Sequence, residues 1–239
     1  MFSEFIWDKD IFLKTDYPIA LDSPNHIDPY GGTQQDKFKG DIFARQLLEK
    51  FPNRRKLLDL GCATGTIPES MRFAGMLAVG IEGSNIPQIK KIEAWSRCPE
   101  ILRTCDISRN FEVTDLNGNH IKFDWVTMWD VLEHIHPDRL NICFNNIRKL
   151  LNRDGYAILD IGLGFNKWHQ SYFTTEKWDK ILSKNFSVNN DIRNHLWKYC
   201  RPSPEEMRRA NIKEIGLYNE NHIKYLGRIY RWCQVCEIV

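Results

Sequence analysis

The chain has 239 residues, 42% of them apolar and 27% charged, with a net charge of +2. That balance suits one large globular domain and argues against a partner held by bulk charge, such as nucleic acid or an anionic membrane surface. Seven cysteines, an odd number at irregular spacing, fit a reducing interior better than a disulfide framework. The start, "MFSEFIWDKD", carries acidic residues where a signal peptide has an apolar core. No apolar run approaches the ~18 residues that span a bilayer. The cytoplasm is the expected compartment.

The first forty residues are polar and broken by Pro18, Pro24, Pro29 and the pair Gly31-Gly32, so they read as an irregular arm. "GDIFARQLLEKF" (40–51) spaces Ile42, Phe43, Leu47, Leu48 and Phe51 with helical period. "KLLDL" (56–60) then reads as a buried strand, "IPESMRFAG" (67–75) as a helix stopping near Gly75, and "MLAVGIE" (76–82) as the next strand. A helix over "IPQIKKIEAWS" (86–96) and a strand around "ILRTCD" (101–106) follow. "FDWVTMWD" (123–130) is a strongly apolar strand, and "LNICFNNIRKLLN" (140–152) a helix with apolar positions at 142, 144, 147, 150 and 151. "GYAILDIG" (155–162) is a strand, "TTEKWDKILSKN" (174–185) a helix, and "RIYRWCQVCEIV" (228–239) a closing strand.

Cys233 and Cys236 have C-x-x-C spacing, but residues three apart on a strand point to opposite faces and do not grip one ion. Residues 190–225, with Pro202 and Pro204, show no clear period. Strand-helix alternation predicts an α/β fold, with a largely parallel sheet covered by helices on both faces. The expected organisation is one domain: an arm or lid at 1–39, a core at 40–186, and a cover with the closing strand at 187–239.

"LLDLGCATG" (57–65) joins a strand bearing Asp59 to a helix through Gly61, Cys62, Ala63, Thr64 and Gly65. Glycines there let a ligand approach bare backbone, and the helix beyond offers free amides and the positive end of its dipole. The order G-C-A-T-G is not the G-x-G-x-x-G of dinucleotide sites. Asp59, Glu82, Asp106 and Asp130 then recur at intervals of 23 to 24 residues, one acid per successive strand tip. In an open parallel sheet those tips border one crevice. A carboxylate at the second tip can accept both hydroxyls of a ribose, and one at the third can receive an adenine amino group. Gly80 reads as a packing residue of the second strand.

These motifs resemble those of class I S-adenosylmethionine-dependent methyltransferases, over roughly residues 40–186 and the final strand. "LDLGCATG" matches the family's first motif, Glu82 in "GIEGS" its ribose-binding acid, Asp106-Ile107 its adenine-side motif, and "FDWVTMWDVLEHI" its fourth-strand motif. The resemblance implies a Rossmann-like sheet of seven strands, mostly parallel, with the final strand reversed. It also implies S-adenosyl-L-methionine held by Asp59, the 61–65 turn, Glu82, Gly83, Ser84, Asp106, Ile107, Trp129 and Asp130.

Methyl transfer to a hydroxyl needs an aligned acceptor and a base for its proton. "DVLEH" (130–134) lies where the family faces the sulfonium, and His134 is the natural base there because the unperturbed pKa of histidine lies near working pH. In one reading His134 is the base, Asp130 orders the cofactor end and Glu133 braces a helix. In a second, Asp130, Glu133 and His134 share one helical face and, with His169 from "NKWHQSYF", hold Mg²⁺ or Mn²⁺. D-x-x-E-H is similar to the E-x-x-E-H of ion-binding members, which include ubiquinone-pathway O-methyltransferases and small-RNA 3′-end methyltransferases; Asp130 departs from that pattern by a shorter arm. In a third, the stretch is structural. His136, before Pro137, belongs in a turn, and His26, His120, His195 and His222 on the surface.

The resemblance assigns the acceptor pocket to 24–40, to 163–175 and, as further cover, to 190–225. Aromatic faces and amides in these segments suit a hydroxylated acceptor, although Trp168, Tyr172, Phe173 and Trp178 also fit a plain core. The chain is also similar to compact methyltransferases of bacterial and viral polysaccharide pathways. The expected activity is O-methylation of a sugar or glycan. The alternatives are a metal-dependent methyltransferase acting on an RNA 3′ end or a catechol, with RNA disfavoured by the near-neutral charge, and a non-catalytic cofactor-binding subunit.

Overall fold

The structure is a computed structural model and describes residues 11–23, 40–163, 167–192 and 231–238. Most of the 24–40 and 190–225 segments, with His26, His195, His222, Pro202 and Pro204, lies outside the described residues.

Strand β1 (Phe12–Lys14) comes first, then helix α1 (Gly40–Lys50), β2 (Lys56–Leu60), α2 (Thr66–Phe73) and β3 (Leu77–Glu82). Two short helices, α3 (Ile86–Ile89) and α4 (Ala94–Arg97), lead to β4 (Leu102–Thr104) and β5 (Glu112–Thr114). Next are β6 (Phe123–Trp129), α5 (Leu140–Leu150), β7 (Leu151–Gly162), α6 (Thr175–Leu182), β8 (Phe186–Val188) and β9 (Arg231–Ile238). Seven strands form one sheet in the order β4-β3-β2-β6-β7-β9-β8. It is parallel except for β9, which runs antiparallel to both β7 and β8. The expected architecture therefore holds, reversed strand included.

Apolar residues on alternate strand positions feed two layers. On one face Val126, Met128, Leu159 and Ile161 meet Phe144 and Ile147 of α5 and Trp178 of α6. On the other, Leu57, Trp125, Ile158 and Val235 meet Phe43 and Leu47 of α1 and Met71 of α2. Fully burying side chains of this size stabilises the fold by about 1.5–3 kcal/mol each. Trp178 is thus a core residue. Gly80 is a packing glycine as expected: a Cβ there would lie 2.7 Å from Cys62 Sγ and from Leu102 Cδ2.

Three local expectations are corrected. The arm is not wholly irregular, because β1 pairs with β5 in a separate two-stranded sheet. The helix over 86–96 is two short pieces: Lys91 (φ 50°) and Glu93 (φ 46°) take left-handed backbone between them and break the hydrogen-bond ladder. The predicted strand at 101–106 shrinks to β4, since Pro99–Ile101 closes a 3-10 turn first. Cys233 and Cys236 do share strand β9. Among the described residues, no helix is long and apolar enough to cross a membrane.

Candidate functional site

The glycine turn sits at the carboxyl tip of β2. Gly61 N and Cys62 N both donate to Ile81 O, at 2.7 and 3.1 Å, which bends the chain over the end of β3. Gly61 (φ 78°), Ala63 (φ 49°) and Gly65 (φ 80°) all take left-handed backbone, costly for any residue with a Cβ. A Cβ on Gly61 would also collide with Val131 Cγ2, and one on Gly65 would lie 2.8 Å from Leu102 Cδ1 and 2.9 Å from Ala94 Cβ. Gly61 and Ala63 stay partly exposed beside buried Cys62 and Thr64, so bare backbone lines the crevice. The turn is braced from beneath by Thr127 Oγ1, which donates to Asp59 Oδ1 at 2.6 Å across matched registers of β2 and β6.

The acids predicted at the next two tips are both buried and oriented by their own loops. Glu82 accepts from Ala63 N at 2.8 Å through Oε2 and from Ser84 N at 2.9 Å through Oε1. One carboxylate thereby joins the glycine turn to the Gly83-Ser84 turn. Asp106 Oδ1 accepts from Ser108 N (3.0 Å) and Ser108 Oγ (2.6 Å), beside the buried Ile107. Residues 17–22 run across these tips like a strap: Ala20 N donates to Gly83 O, Asp106 N donates to Tyr17 O, and Asp22 pairs with Arg109 and Arg139.

"DVLEH" does not form the helical face expected of it. Asp130 ends β6 with φ 52°, its N–H donating to Asp160 O at 2.9 Å, and only Leu132–His134 makes a 3-10 turn. Left-handed backbone at Asp130 throws the chain off the strand, so Asp130, Glu133 and His134 meet by folding back rather than by helical spacing. Glu133 does not brace a helix either. Its fully buried side chain reaches across to β7, where Oε1 accepts from Gly162 N at 2.7 Å. Burial first, then the charge of Asp130, lifts its carboxyl well above the usual carboxylate range; Asp160 pushes the same way. Trp129 turns toward α1, edge-on to Phe43 with ring centroids 5.3 Å apart.

The segment after β7 locks onto this turn. Gln170 N and Ser171 N donate to Glu133 O, Gln170 Nε2 to His134 O, and Ser171 Oγ to Ile135 O, at 2.7–2.9 Å. That register sets His169 edge-on to His134, with ring centroids 4.8 Å apart. Glu133, His134 and His169 can each turn a ligand atom toward a common point, these atoms lying within 4.8 Å of one another. Asp130, the fourth predicted member, stands beside this trio rather than within it. His136 caps the 3-10 turn Pro137–Arg139, and His120 is exposed, as the sequence implied.

Gly162 is the contact that makes room for Glu133. A Cβ there would strike Glu133 Oε1 and sit 3.4 Å from Asp130 Oδ1. Gly162→Ala is therefore expected to cost about 1–3 kcal/mol, read as a lowered melting temperature, because no rotamer keeps both the methyl group and the buried carboxylate in place. Three neighbours were missed in the sequence. Asp160 is fully buried, and an acid inside the apolar run "AILDIG" was its signal. Gln170 and Ser171 flank His169 but carry no spacing that marks them.

A model of a methyltransferase domain matches residues 33–221. A curated relative, the ubiquinone biosynthesis O-methyltransferase of Haemophilus ducreyi, is 34% identical over 111 residues, covering 44% of this chain and 44% of that protein. The match thus spans less than half the length of that relative. Among solved structures, the TehB-like S-adenosylmethionine-dependent methyltransferase of Corynebacterium glutamicum aligns with TM-score 0.57 at 17% identity, covering 85% of this chain and 89% of that one. The 1,6-didemethyltoxoflavin-N1-methyltransferase of Burkholderia thailandensis aligns with TM-score 0.50 at 15% identity, covering 85% and 80%. With most of its length matched by that domain, the chain belongs to the methyltransferase-domain family, and it has the fold of class I S-adenosylmethionine-dependent methyltransferases.

Proposed function

We propose that the protein transfers a methyl group from S-adenosylmethionine to a hydroxyl of a sugar or glycan, with His134 as the general base. The observation that carries this reading is the position of His134, just past the tip of β6 and tied by its carbonyl to the Gln170 side chain. Glu82 would take the ribose hydroxyls, Asp106 and Ile107 the adenine, and the 61–65 backbone with Asp130 the amino-acid end. His134 would remove the acceptor proton as the oxygen attacks the methyl carbon in line with the departing sulfur. Half-buried Trp168 and exposed Tyr172, next to His169 and Gln170, offer aromatic faces and polar groups for a hydroxylated ring. The O-methyltransferase relative supports an oxygen acceptor.

One observation favours a second reading, in which a divalent cation takes part. Glu133 Oε2 is buried and has no hydrogen-bond partner among the described residues, and it belongs to the convergent trio with His134 and His169. One carboxylate and two imidazoles fit a cation, and suit Mn²⁺ better than Mg²⁺. When bound there, a cation would lower the cost of negative charge on an acceptor oxygen. Catechols or an RNA 3′ end would then be the acceptors.

The test is methyl transfer from labelled S-adenosylmethionine to panels of sugars and catechols, in EDTA and in Mn²⁺, beside calorimetry with S-adenosylhomocysteine. His134→Ala is expected to bind S-adenosylhomocysteine like wild type and to lose about 10²–10⁴-fold in transfer to the sugar. Transfer to catechols alone, and only in Mn²⁺, would favour the second reading. Cofactor binding without transfer to any acceptor would favour the non-catalytic subunit.

A further inference from the structure

We infer that Asn146 is a positioning residue for recognition of the cofactor's purine, acting through the Asp106–Arg109 turn. The inference rests on the proposed seat of adenine at Asp106 and Ile107. α5 packs Cys143, Phe144, Ile147 and Leu150 into the core, and Asn146 lies on that same face with 1% of its surface exposed. A buried amide costs stability unless its polar atoms are matched. Asn146 Nδ2 donates to Ile107 O at 3.2 Å and to Arg109 O at 2.7 Å, while its Oδ1 accepts no hydrogen bond among the described residues. An amide nitrogen carries two protons and can serve two carbonyls; a hydroxyl has one, and a carboxylate none.

Asn146 thus holds the turn from the core side, straddling Ser108. Within the turn, Ser108 N and Oγ occupy Asp106 Oδ1, and Arg109 N donates to Asp106 O at 3.0 Å. From the solvent side, Tyr17 O accepts from Asp106 N at 2.9 Å. With Oδ1 committed to Ser108, Oδ2 is the oxygen left for an exocyclic amino group; Arg109 Nε and Arg139 Nη1 lie 3.8 and 3.9 Å from it. Recognition of that amino group needs the carboxylate held in one orientation, and the carbonyls on either side of Ser108 are fixed by a single side chain. A core amide with no part in recognition would make the same bonds, so the readout must separate purine recognition from general stability.

The experiment is calorimetry of the full chain with S-adenosylhomocysteine and with its deaminated analogue S-inosylhomocysteine, which carries an oxygen in place of the amino group. Wild type is expected to prefer the amino form. Asn146→Leu, close in shape but without donors, is expected to weaken S-adenosylhomocysteine about tenfold while moving the inosyl analogue by no more than about twofold, so the preference collapses. Ser108→Ala removes the Oγ bond to the same carboxylate, leaves the Ser108 N–H bond and α5 intact, and is expected to lower the preference in the same direction; it decides the matter if Asn146→Leu does not fold. Equal weakening of both ligands, or an unchanged preference in the folded variants, overturns the inference. Failure of wild type to bind either ligand overturns the cofactor site itself, and the inference with it.

Discussion

Gly61→Val is expected to abolish detectable binding of S-adenosylhomocysteine, a loss of about a hundredfold or more, while far-UV circular dichroism stays that of the folded protein. Three effects combine. A β-branched residue at φ 78° pays about 1–2 kcal/mol for left-handed backbone. Its Cβ meets Val131, which leads into the turn bearing Glu133 and His134. Relieving that clash shifts the turn itself, whose backbone Gly61 and Ala63 leave open to the crevice. Gly118 provides the control: it has φ 81° with nothing within 4 Å of an added Cβ. Gly118→Val should therefore carry the backbone cost and leave calorimetric affinity as in wild type.

Glu133→Gln is expected to make the protein more stable. In EDTA at pH 8 the variant should unfold at a higher temperature than wild type, by about 1–3 kcal/mol of stability. Gln keeps an acceptor for Gly162 N and removes the ionisable group from a fully buried position beside Asp130 and Asp160. The ordinary value for this carboxyl is 4.5, and its folded value is raised well above it. Below about pH 4.5 folded and unfolded chains both hold the proton, and Glu133 adds no pH dependence. Above it the unfolded chain releases the proton first, so wild type loses stability as pH rises through the folded value. Melts from pH 5 to pH 9 should therefore show the advantage of Glu133→Gln growing with pH. A constant gap would mean that Glu133 does not titrate above the ordinary range. If the trio holds a cation, saturating Mn²⁺ should raise the wild-type melt and leave the variant unmoved.

The parallel strands were legible because each is a short apolar run bounded by small residues, too short for a helix and flanked as buried strands are. The acids at their tips were legible because the crevice falls at the same end of every strand. Folding back was not legible. "DVLEH" has helical spacing, and nothing in five letters says that Asp130 will turn left-handed and end the register. The helix over 86–96 failed similarly: its composition favours a helix, and the break at Lys91 and Glu93 is imposed by α4, whose Ala94 and Trp95 pack against Ile101 and Leu102. Strands β1 and β5, three residues each, are too short for alternation to show. Asn146 did leave a trace, as an amide on the apolar stripe of α5, but composition alone does not tell which carbonyls it serves.

The reversed strand has a consequence for how the chain is made. β9 lies between β7 and β8, and among the described residues β8 pairs with β9 alone. During synthesis the outer edge of β7 stays open, and β8 has no sheet to join, until residues 231–238 have left the ribosome. Parallel strands β2, β3 and β6 can assemble well before that point. A nascent chain stalled short of residue 231 would thus lack two strands rather than one, and would present an unpaired sheet edge to quality control.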